Sequence, residues 1–364
     1  MKKDIGILGA TGLVGKGVLS ALESKKYTIL IGARNLEKLK QIKSKSQGNI
    51  EITSIDVLDA KQVEKFCSQC KIIINCTSPA SVIGTRILEE CVNQGIDYID
   101  PFGEGQSEKY IADNRKKIEE KKCRVILAAG TYPGLSEMLF KYVLKDNDSE
   151  KICIKEFFYG NGCFSYGATQ DIIFSMLNGK SKSMSFVKGE EVVPCKIPFG
   201  SSITIEPNIG PIYPYPIISE DFFKVCKGKV QEAYFFNTFS DINSVSSFFE
   251  IGSQIFYENR ECAYNYTEKL KQLYDKEGVG IERTEFVFFV EKKNEPINKR
   301  IVFEYLCNWN TLSGYICALV AEQCLKNTLS KMCVCKFSEI DATKNLVNNL
   351  PGKIEIKEQN VLLE

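Results

Sequence analysis

The sequence contains no histidine. Nucleophile systems built on a Ser-His or Cys-His pair are therefore excluded, and any general acid or base must be Tyr, Lys, Asp, Glu, Cys or water. Charge of one sign is also lacking. Lys+Arg 47 against Asp+Glu 46 leaves +1, so no global field favours nucleic acid or an acidic partner. No apolar run reaches the roughly 18 residues of a membrane span. Tyr315 to Leu325 comes nearest and is interrupted by Glu322 and Gln323. The first apolar strand begins within four residues of Met1, with no signal-peptide pattern before it. These features lead us to expect a soluble, cytoplasmic protein with no membrane attachment and no nucleic-acid partner.

Disulfide and metal frameworks are not suggested either, although there are fifteen cysteines. A chain of this size without a secretory signal keeps its thiols reduced, and most cysteines then act as small hydrophobes. Cys67 and Cys70 have C-x-x-C spacing, but no second such pair follows at zinc-site spacing; Cys333-Val334-Cys335 alternates like a strand. Without histidine a zinc site would need cysteines or carboxylates alone, and we expect no metal.

What is present starts with Gly9-Ala10-Thr11-Gly12-Leu13-Val14-Gly15. The apolar run Asp4 to Leu8 precedes it, and Val18, Leu19 and Leu22 follow at helical spacing. Strand, glycine-rich turn and helix in this order make a phosphate cradle. Glycines let the backbone turn tightly and approach a pyrophosphate, whose charge sits at the helix N-terminus. The spacing is G-x-x-G-x-x-G rather than G-x-G-x-x-G, and a plain tight turn is the competing reading. A second strand, Tyr27 to Ile31, leads to Gly32-Ala33-Arg34-Asn35. An NAD enzyme usually carries Asp or Glu at this strand end for the ribose 2′-hydroxyl; Arg34 instead suits a 2′-phosphate. We therefore expect NADP(H) over NAD(H), with a solvated loop charge as the alternative for Arg34. Asp56 and Val57, after the apolar Ile50 to Ile55 stretch, stand where an adenine would lie; an ordinary loop carboxylate is the other reading of Asp56.

Strand and helix patterns alternate through the first half. Helical stretches are expected at Leu36 to Lys43, Lys61 to Phe66, Val82 to Gln94 and Ser107 to Lys121. Strands are expected at Ile50 to Ile55, Lys71 to Asn75, Ile96 to Ile99 and Arg124 to Ala128. Such alternation means an α/β, doubly wound parallel sheet of Rossmann type. The pattern changes near Asn147. Residues 151–307 combine short β-type segments with helices at Thr169 to Leu177 and Cys262 to Lys276, an α+β domain on an open mixed sheet. Thr311 to Lys326 reads as a long helix returning to the first domain. The expected division is 1–150 with 308–364 for the nucleotide, and 151–307 for substrate and dimerisation.

Asn75-Cys76-Thr77-Ser78-Pro79, a helix with Gly84, Cys91 and Gly95, then Tyr98-Ile99-Asp100 and Gly103-Glu104, occur in that order. Together with the opening loop, Ala33-Arg34-Asn35 and the turn Ala129 to Leu135, this series resembles the saccharopine dehydrogenase-like family. The resemblance covers about the first 145 residues, and Leu312 to Ala318 is similar to that family's returning helix. It implies an NAD(P)-dependent oxidoreductase. Members include saccharopine reductases, which reduce an imine, and trans-acting enoyl reductases. For this chain it implies hydride transfer from NADPH to a C=N or polarised C=C bond of a small or carrier-tethered metabolite, and a homodimer by family habit. The competing class is a non-catalytic NADP-binding sensor or scaffold. Short-chain dehydrogenases, which share the opening, use Tyr-x-x-x-Lys; none of the sixteen tyrosines has Lys four residues on.

The loops after the fourth to sixth strands should surround the nicotinamide. Asn75, Thr77 and Pro79 end the fourth strand; backbone and hydroxyl groups there are candidates to hold the ribose and carboxamide, with Pro79 shaping the loop and Cys76 packing beside them, and a simple strand-to-helix turn is the alternative. Asp100 and Glu104 are candidate carboxylates for orienting a substrate amine or relaying a proton, or else they cap a loop. The phenol of Tyr132 either protonates substrate as hydride arrives or only covers the ring.

Overall fold

The computed structural model describes the chain apart from residues 104, 146–151, 178–180, 198–199, 206–209, 258–262, 278–279, 281, 293–297, 330–333, 341–348, 351–354 and 362–364. It divides into two compact units, Met1–Leu135 with Asn310–Pro351, and Ser136–Trp309 with Gly352–Glu364. No helix among the described residues is long and apolar enough to cross a membrane, and no group of three or more Cys, Asp or Glu there could hold a metal ion.

The first unit is a seven-stranded, wholly parallel sheet. Its strands are β1 (Lys3–Leu8), β2 (Thr28–Ala33), β3 (Asn49–Ser54), β4 (Cys70–Asn75), β5 (Asp97–Ile99) and β6 (Val125–Leu127), with β16 (Val334–Lys336) at one edge. Their order is β16-β6-β5-β4-β1-β2-β3. Ile5, Ile7 and Leu8 of β1 and Ile72, Ile73 and Ile74 of β4 are all buried, the near-continuous apolar run of a strand covered on both faces. Each helix is close to its expected span, with one difference. The stretch expected as one helix from Val82 breaks into Ala80–Ile83 and Arg86–Gln94, because Gly84 adopts φ +63° between them. Cys67 and Cys70 lie in the core, where the Cys67 and Cys91 sulfurs are 3.9 Å apart.

The returning helix spans Trp309–Leu325, and from Asn310 it belongs to this unit. It crosses the helix Leu13–Leu22 at two glycines. A Cβ on Gly314 would stand 2.4 Å from the Val18 nitrogen, and one on Gly17 would stand 2.8 Å from the Thr311 carbonyl oxygen. Only backbone fits against backbone at this crossing.

The second unit carries a ten-stranded mixed sheet. Its strands in chain order are β7 (Ile152–Gly160), β8 (Ser181–Ser183), β9 (Ser185–Lys188), β10 (Glu191–Pro194), β11 (Ile203–Thr204), β12 (Pro211–Ser219), β13 (Glu232–Phe239), β14 (Thr284–Lys292), β15 (Asn298–Tyr305) and β17 (Glu355–Val361). The main path is β10-β9-β13-β7-β14-β15-β17, and β12 pairs with β13 from a branch with β8 and β11. β7 and β13 run parallel; the other pairs are antiparallel. The last strand corrects the expected organisation. Residues 355–361 extend the second sheet by pairing with β15, rather than joining the nucleotide domain.

One buried charge-bearing group is out of keeping with this sheet. Glu156, in mid-β7 between Phe235 and Phe288 of the neighbouring strands, is fully buried, and neither carboxyl oxygen has a hydrogen-bond partner among the described residues. Burial, and then the nearby Glu137, holds its pKa well above the usual carboxylate value; the Cys226 thiol is the other titratable neighbour. The folded protein thus keeps this proton while the unfolded chain ionises, so stability falls as pH rises above the ordinary Glu range, by up to ~1.4 kcal/mol per pH unit until the folded pKa is reached. Urea unfolding from about pH 5 to about pH 8 should show this slope reduced in Glu156→Gln, which becomes the more stable protein at the alkaline end. Parallel pH profiles for the two proteins would contradict it.

Candidate functional site

The carboxyl ends of β1 and β4 adjoin at the point where strand order reverses, the place where open α/β sheets bind ligands. Between β1 and the helix Leu13–Leu22 the chain turns through Gly9 to Gly12. Gly9 has φ +77°, donates its N–H to the Gly32 carbonyl at 3.0 Å and accepts at its own carbonyl from the Gly12 N–H at 2.9 Å. A Cβ on Gly9 would stand 2.5 Å from the Cys76 carbonyl oxygen, and one on Gly15 would stand 2.4 Å from the Gly9 carbonyl oxygen. The first glycine therefore lets β4 approach, and the third seats the helix on the strand.

Gly12 differs. It caps the helix with extended backbone and no side-chain hydrogen bond, and a Cβ there would meet only the Gly9 oxygen, at 3.2 Å. The space before the helix is open. The N–H groups of Leu13, Val14 and Gly15 fall in the first turn, where no intrahelical acceptor exists, so they form a bare anion-binding end. A pyrophosphate fits this cradle.

Arg34 follows β2 directly and is exposed, with no ion pair among the described residues. Its carbonyl accepts from the Ser54 hydroxyl at 3.1 Å, which fixes the backbone at the ends of β2 and β3. Asn35 serves as the N-cap of helix Leu36–Lys45, its side-chain oxygen accepting from the Lys38 N–H at 3.0 Å. Asp56 is exposed and accepts from the Leu58 N–H at 3.0 Å, while Val57 packs on the core.

The ends of β4 and β5 are tied by a chain of hydrogen bonds whose local signals, N-C-x-x-P and Y-x-D, do not disclose it. The Thr77 N–H donates to the Asn75 side-chain oxygen at 3.2 Å, and the Thr77 hydroxyl donates to the same atom. Asn75 Nδ2 donates to the Tyr98 hydroxyl at 2.8 Å, which donates to Asp100 Oδ2 at 2.6 Å. Asp100 Oδ1 then accepts from the Phe102 and Gly103 N–H groups at 2.7 and 2.9 Å. Burial raises the Asp100 pKa even though Tyr98, the Phe102 and Gly103 N–H groups and Asn75 favour the anion. Cys76 lies beside this chain, and burial raises its thiol as well, with the Asp100 charge second. Pro79 caps the short helix that follows.

Tyr132 is half-buried in the loop after β6. The loop is pinched, since Gly130 and Gly134 form an isolated bridge and a Cβ on Gly134 would stand 2.1 Å from the Ala128 carbonyl oxygen. The returning helix holds it through Ser313, whose hydroxyl lies 3.0 Å from the Thr131 N–H and 2.9 Å from the Thr131 hydroxyl. Glu104 lies outside the described residues. Every other site residue foreseen from the sequence lies at or just beyond the carboxyl end of a strand of this sheet. Asn75, Tyr98 and Ser313, which connect them, were not foreseen in those roles.

Comparison with known proteins accords with this geometry. Residues 5–127 match the family model described as the saccharopine dehydrogenase NADP binding domain. A "Probable mitochondrial saccharopine dehydrogenase-like oxidoreductase" of Arabidopsis thaliana is 28% identical over 142 residues, 35% of this chain and 31% of the relative. A "Saccharopine dehydrogenase-like oxidoreductase" of Mus musculus is 23% identical over 142 residues, 34% of this chain and 33% of the relative. The matches span about a third of the length of either relative. Apo saccharopine dehydrogenase (L-Glu forming) from Saccharomyces cerevisiae superposes with a TM-score of 0.66 over 99% of this chain and 100% of that one, at 13% identity, a likeness of fold.

Proposed function

From the match of residues 5–127 to the saccharopine dehydrogenase NADP binding domain, we propose that the whole protein is an NADPH-dependent oxidoreductase. It transfers hydride to a C=N or polarised C=C bond of a small or carrier-tethered metabolite. The observation that carries this is the open helix end behind Gly12, joined on the same sheet edge by an Arg34 guanidinium without an ion pair among the described residues.

Bound NADPH supplies the hydride. The chain's own residues bind and orient it. The N–H groups of Leu13, Val14 and Gly15 hold the pyrophosphate, and Arg34 holds the 2′-phosphate through charge-assisted hydrogen bonds. Asn35 fixes the backbone beside Arg34, and Asp56 and Val57 flank the adenine. Cys76, Thr77 and Pro79 line the nicotinamide side, with the Thr77 hydroxyl aimed by Asn75. Tyr132, half-buried in the loop after β6, is the candidate phenol for a proton, since the Tyr98 hydroxyl is already engaged by Asn75 and Asp100. Asp100 acts as a positioning residue, because both its oxygens are engaged in holding the ends of β4 and β5. An iminium substrate, already cationic, needs little acid help, which suits a site without histidine.

NADPH oxidation assayed against imine and enoyl substrates tests the activity. Tight NADPH binding without turnover across such a panel would make the chain a sensor instead. The cofactor choice is tested separately. Arg34→Ala should lower NADPH affinity by roughly 10- to 100-fold, the worth of a hydrogen bond to a charged group, and leave NADH affinity nearly unchanged. An unaltered NADPH/NADH ratio would remove the 2′-phosphate role.

A further inference from the structure

The hydrogen-bond chain across the ends of β4 and β5 runs in one direction, and backbone sets that direction at both ends. At one end the Thr77 N–H, which only donates, meets the Asn75 side chain at 3.2 Å, so the carboxamide oxygen and not its nitrogen must stand there. That turns Asn75 Nδ2 toward the Tyr98 hydroxyl, 2.8 Å away, as a donor. The phenol accepts this bond and gives its own hydrogen to Asp100 Oδ2 at 2.6 Å. At the other end Asp100 Oδ1 is filled by the N–H groups of Phe102 and Gly103. Every hydrogen in the chain is thus directed toward Asp100. Reversing any member would set donor against donor or acceptor against acceptor.

The Thr77 hydroxyl is fixed by the same rule. It meets the Asn75 oxygen, which carries no hydrogen, so the hydroxyl donates there; its side chain makes no other hydrogen bond among the described residues. With its one hydrogen engaged, the oxygen has only lone pairs left. An unrestrained threonine hydroxyl turns to donate or to accept as its partner requires. This one only accepts. Asn75, Tyr98 and Asp100 are buried, whereas Thr77 is half-buried and is the member of the chain within reach of a ligand. It stands beside the glycine loop, since its backbone nitrogen lies 3.0 Å from the place a Cβ on Gly9 would occupy.

We propose that Thr77 Oγ is a one-way acceptor that selects a hydrogen-bond donor on the nicotinamide riboside of the cofactor, the carboxamide NH2 or a ribose hydroxyl. Asn75 and Tyr98 are the positioning residues that fix its direction. The assignment rests on the reading of this sheet edge as a dinucleotide site. A carbonyl or carboxylate oxygen brought to the same place would meet an acceptor with no hydrogen to share. An amide facing Thr77 therefore presents its nitrogen and not its oxygen.

Calorimetric titration of the full-length protein with three probes tests this. NADP⁺ carries the carboxamide, its 3-acetylpyridine analogue keeps the carbonyl but has methyl in place of NH2, and adenosine 2′,5′-bisphosphate lacks the nicotinamide riboside. Thr77→Val keeps the side-chain shape and the N–H bond to Asn75 but removes the lone pairs. It should weaken NADP⁺ about fivefold, the worth of one neutral hydrogen bond, and leave the bisphosphate unchanged; Thr77→Ser should restore NADP⁺. Thr77→Ala takes its place if valine disturbs bisphosphate binding. With the carboxamide as donor, the unaltered protein binds the analogue about fivefold more weakly than NADP⁺. That gap closes in Thr77→Val, and also in Asn75→Leu, which frees the hydroxyl to turn. With a ribose hydroxyl as donor, Thr77→Val weakens NADP⁺ and the analogue equally. Unchanged NADP⁺ affinity in Thr77→Val, or a loss that serine does not restore, overturns the proposal while bisphosphate binding keeps the dinucleotide site. Failure of the unaltered protein to bind either NADP⁺ or the bisphosphate sinks the reading of the site itself.

Discussion

A Gly9→Ala protein is expected to lose NADP(H) affinity by at least about a hundredfold and to unfold at lower denaturant, because the change strikes backbone in two ways. At φ +77° any L side chain costs about 1–2 kcal/mol. The new methyl would also stand 2.5 Å from the Cys76 carbonyl oxygen, and no flexible side chain is there to give way. β1 and β4 must separate, and the cradle opens with them. Gly12→Ala is the informative partner. Its methyl meets only the Gly9 oxygen at 3.2 Å, so the fold should survive, but the methyl projects where a phosphate would approach. Calorimetric titration with NADPH beside urea unfolding separates the two. Wild-type NADPH affinity in Gly9→Ala would remove the loop from the binding site.

Asp100→Ala should destabilise the first unit by about 3 kcal/mol, in the range for a buried group with charged hydrogen bonds. It orphans the Phe102 and Gly103 N–H groups and leaves the Tyr98 hydroxyl without its acceptor. Tyr98→Phe should cost less, about 1–2 kcal/mol, because the backbone bonds to Asp100 persist while Asn75 Nδ2 loses its acceptor. Equilibrium unfolding measures both. Should Asp100→Ala keep its stability yet lose turnover, Asp100 would act on substrate and not as a positioning residue.

The first unit was largely legible because its signals are local. Apolar runs such as Ile72 to Ile74 mark doubly covered strands, and the glycine loop follows directly in the chain. What joins the site was not legible, since Asn75 meets Tyr98, and Ser313 meets Thr131, only once the strands lie side by side. The second unit was read less well, for physical reasons. β12 holds Pro214 and Pro216 and does not read as a strand, yet they alternate, so Tyr213 and Tyr215 remain to carry the ladder to β13. Helix Ile242–Tyr257 has a Ser- and Asn-rich first half that conceals the buried Val245, Phe248 and Ile251 at three-residue spacing. Glu156 sits where only an apolar residue would be expected.

The interleaved path of the chain bears on how the protein is made. The nucleotide unit consists of residues 1–135 and 310–351, and the second unit takes its last strand from residues 355–361. During synthesis the ribosome delivers the glycine loop first, but the helix that closes over Gly17 through Gly314, and holds the Tyr132 loop through Ser313, emerges after the whole mixed sheet except its last strand. Neither unit can be complete on a nascent chain until residues 310–361 have been made. A premature stop anywhere before Asn310 would release a first unit that lacks its closing helix, fit for degradation rather than for folding.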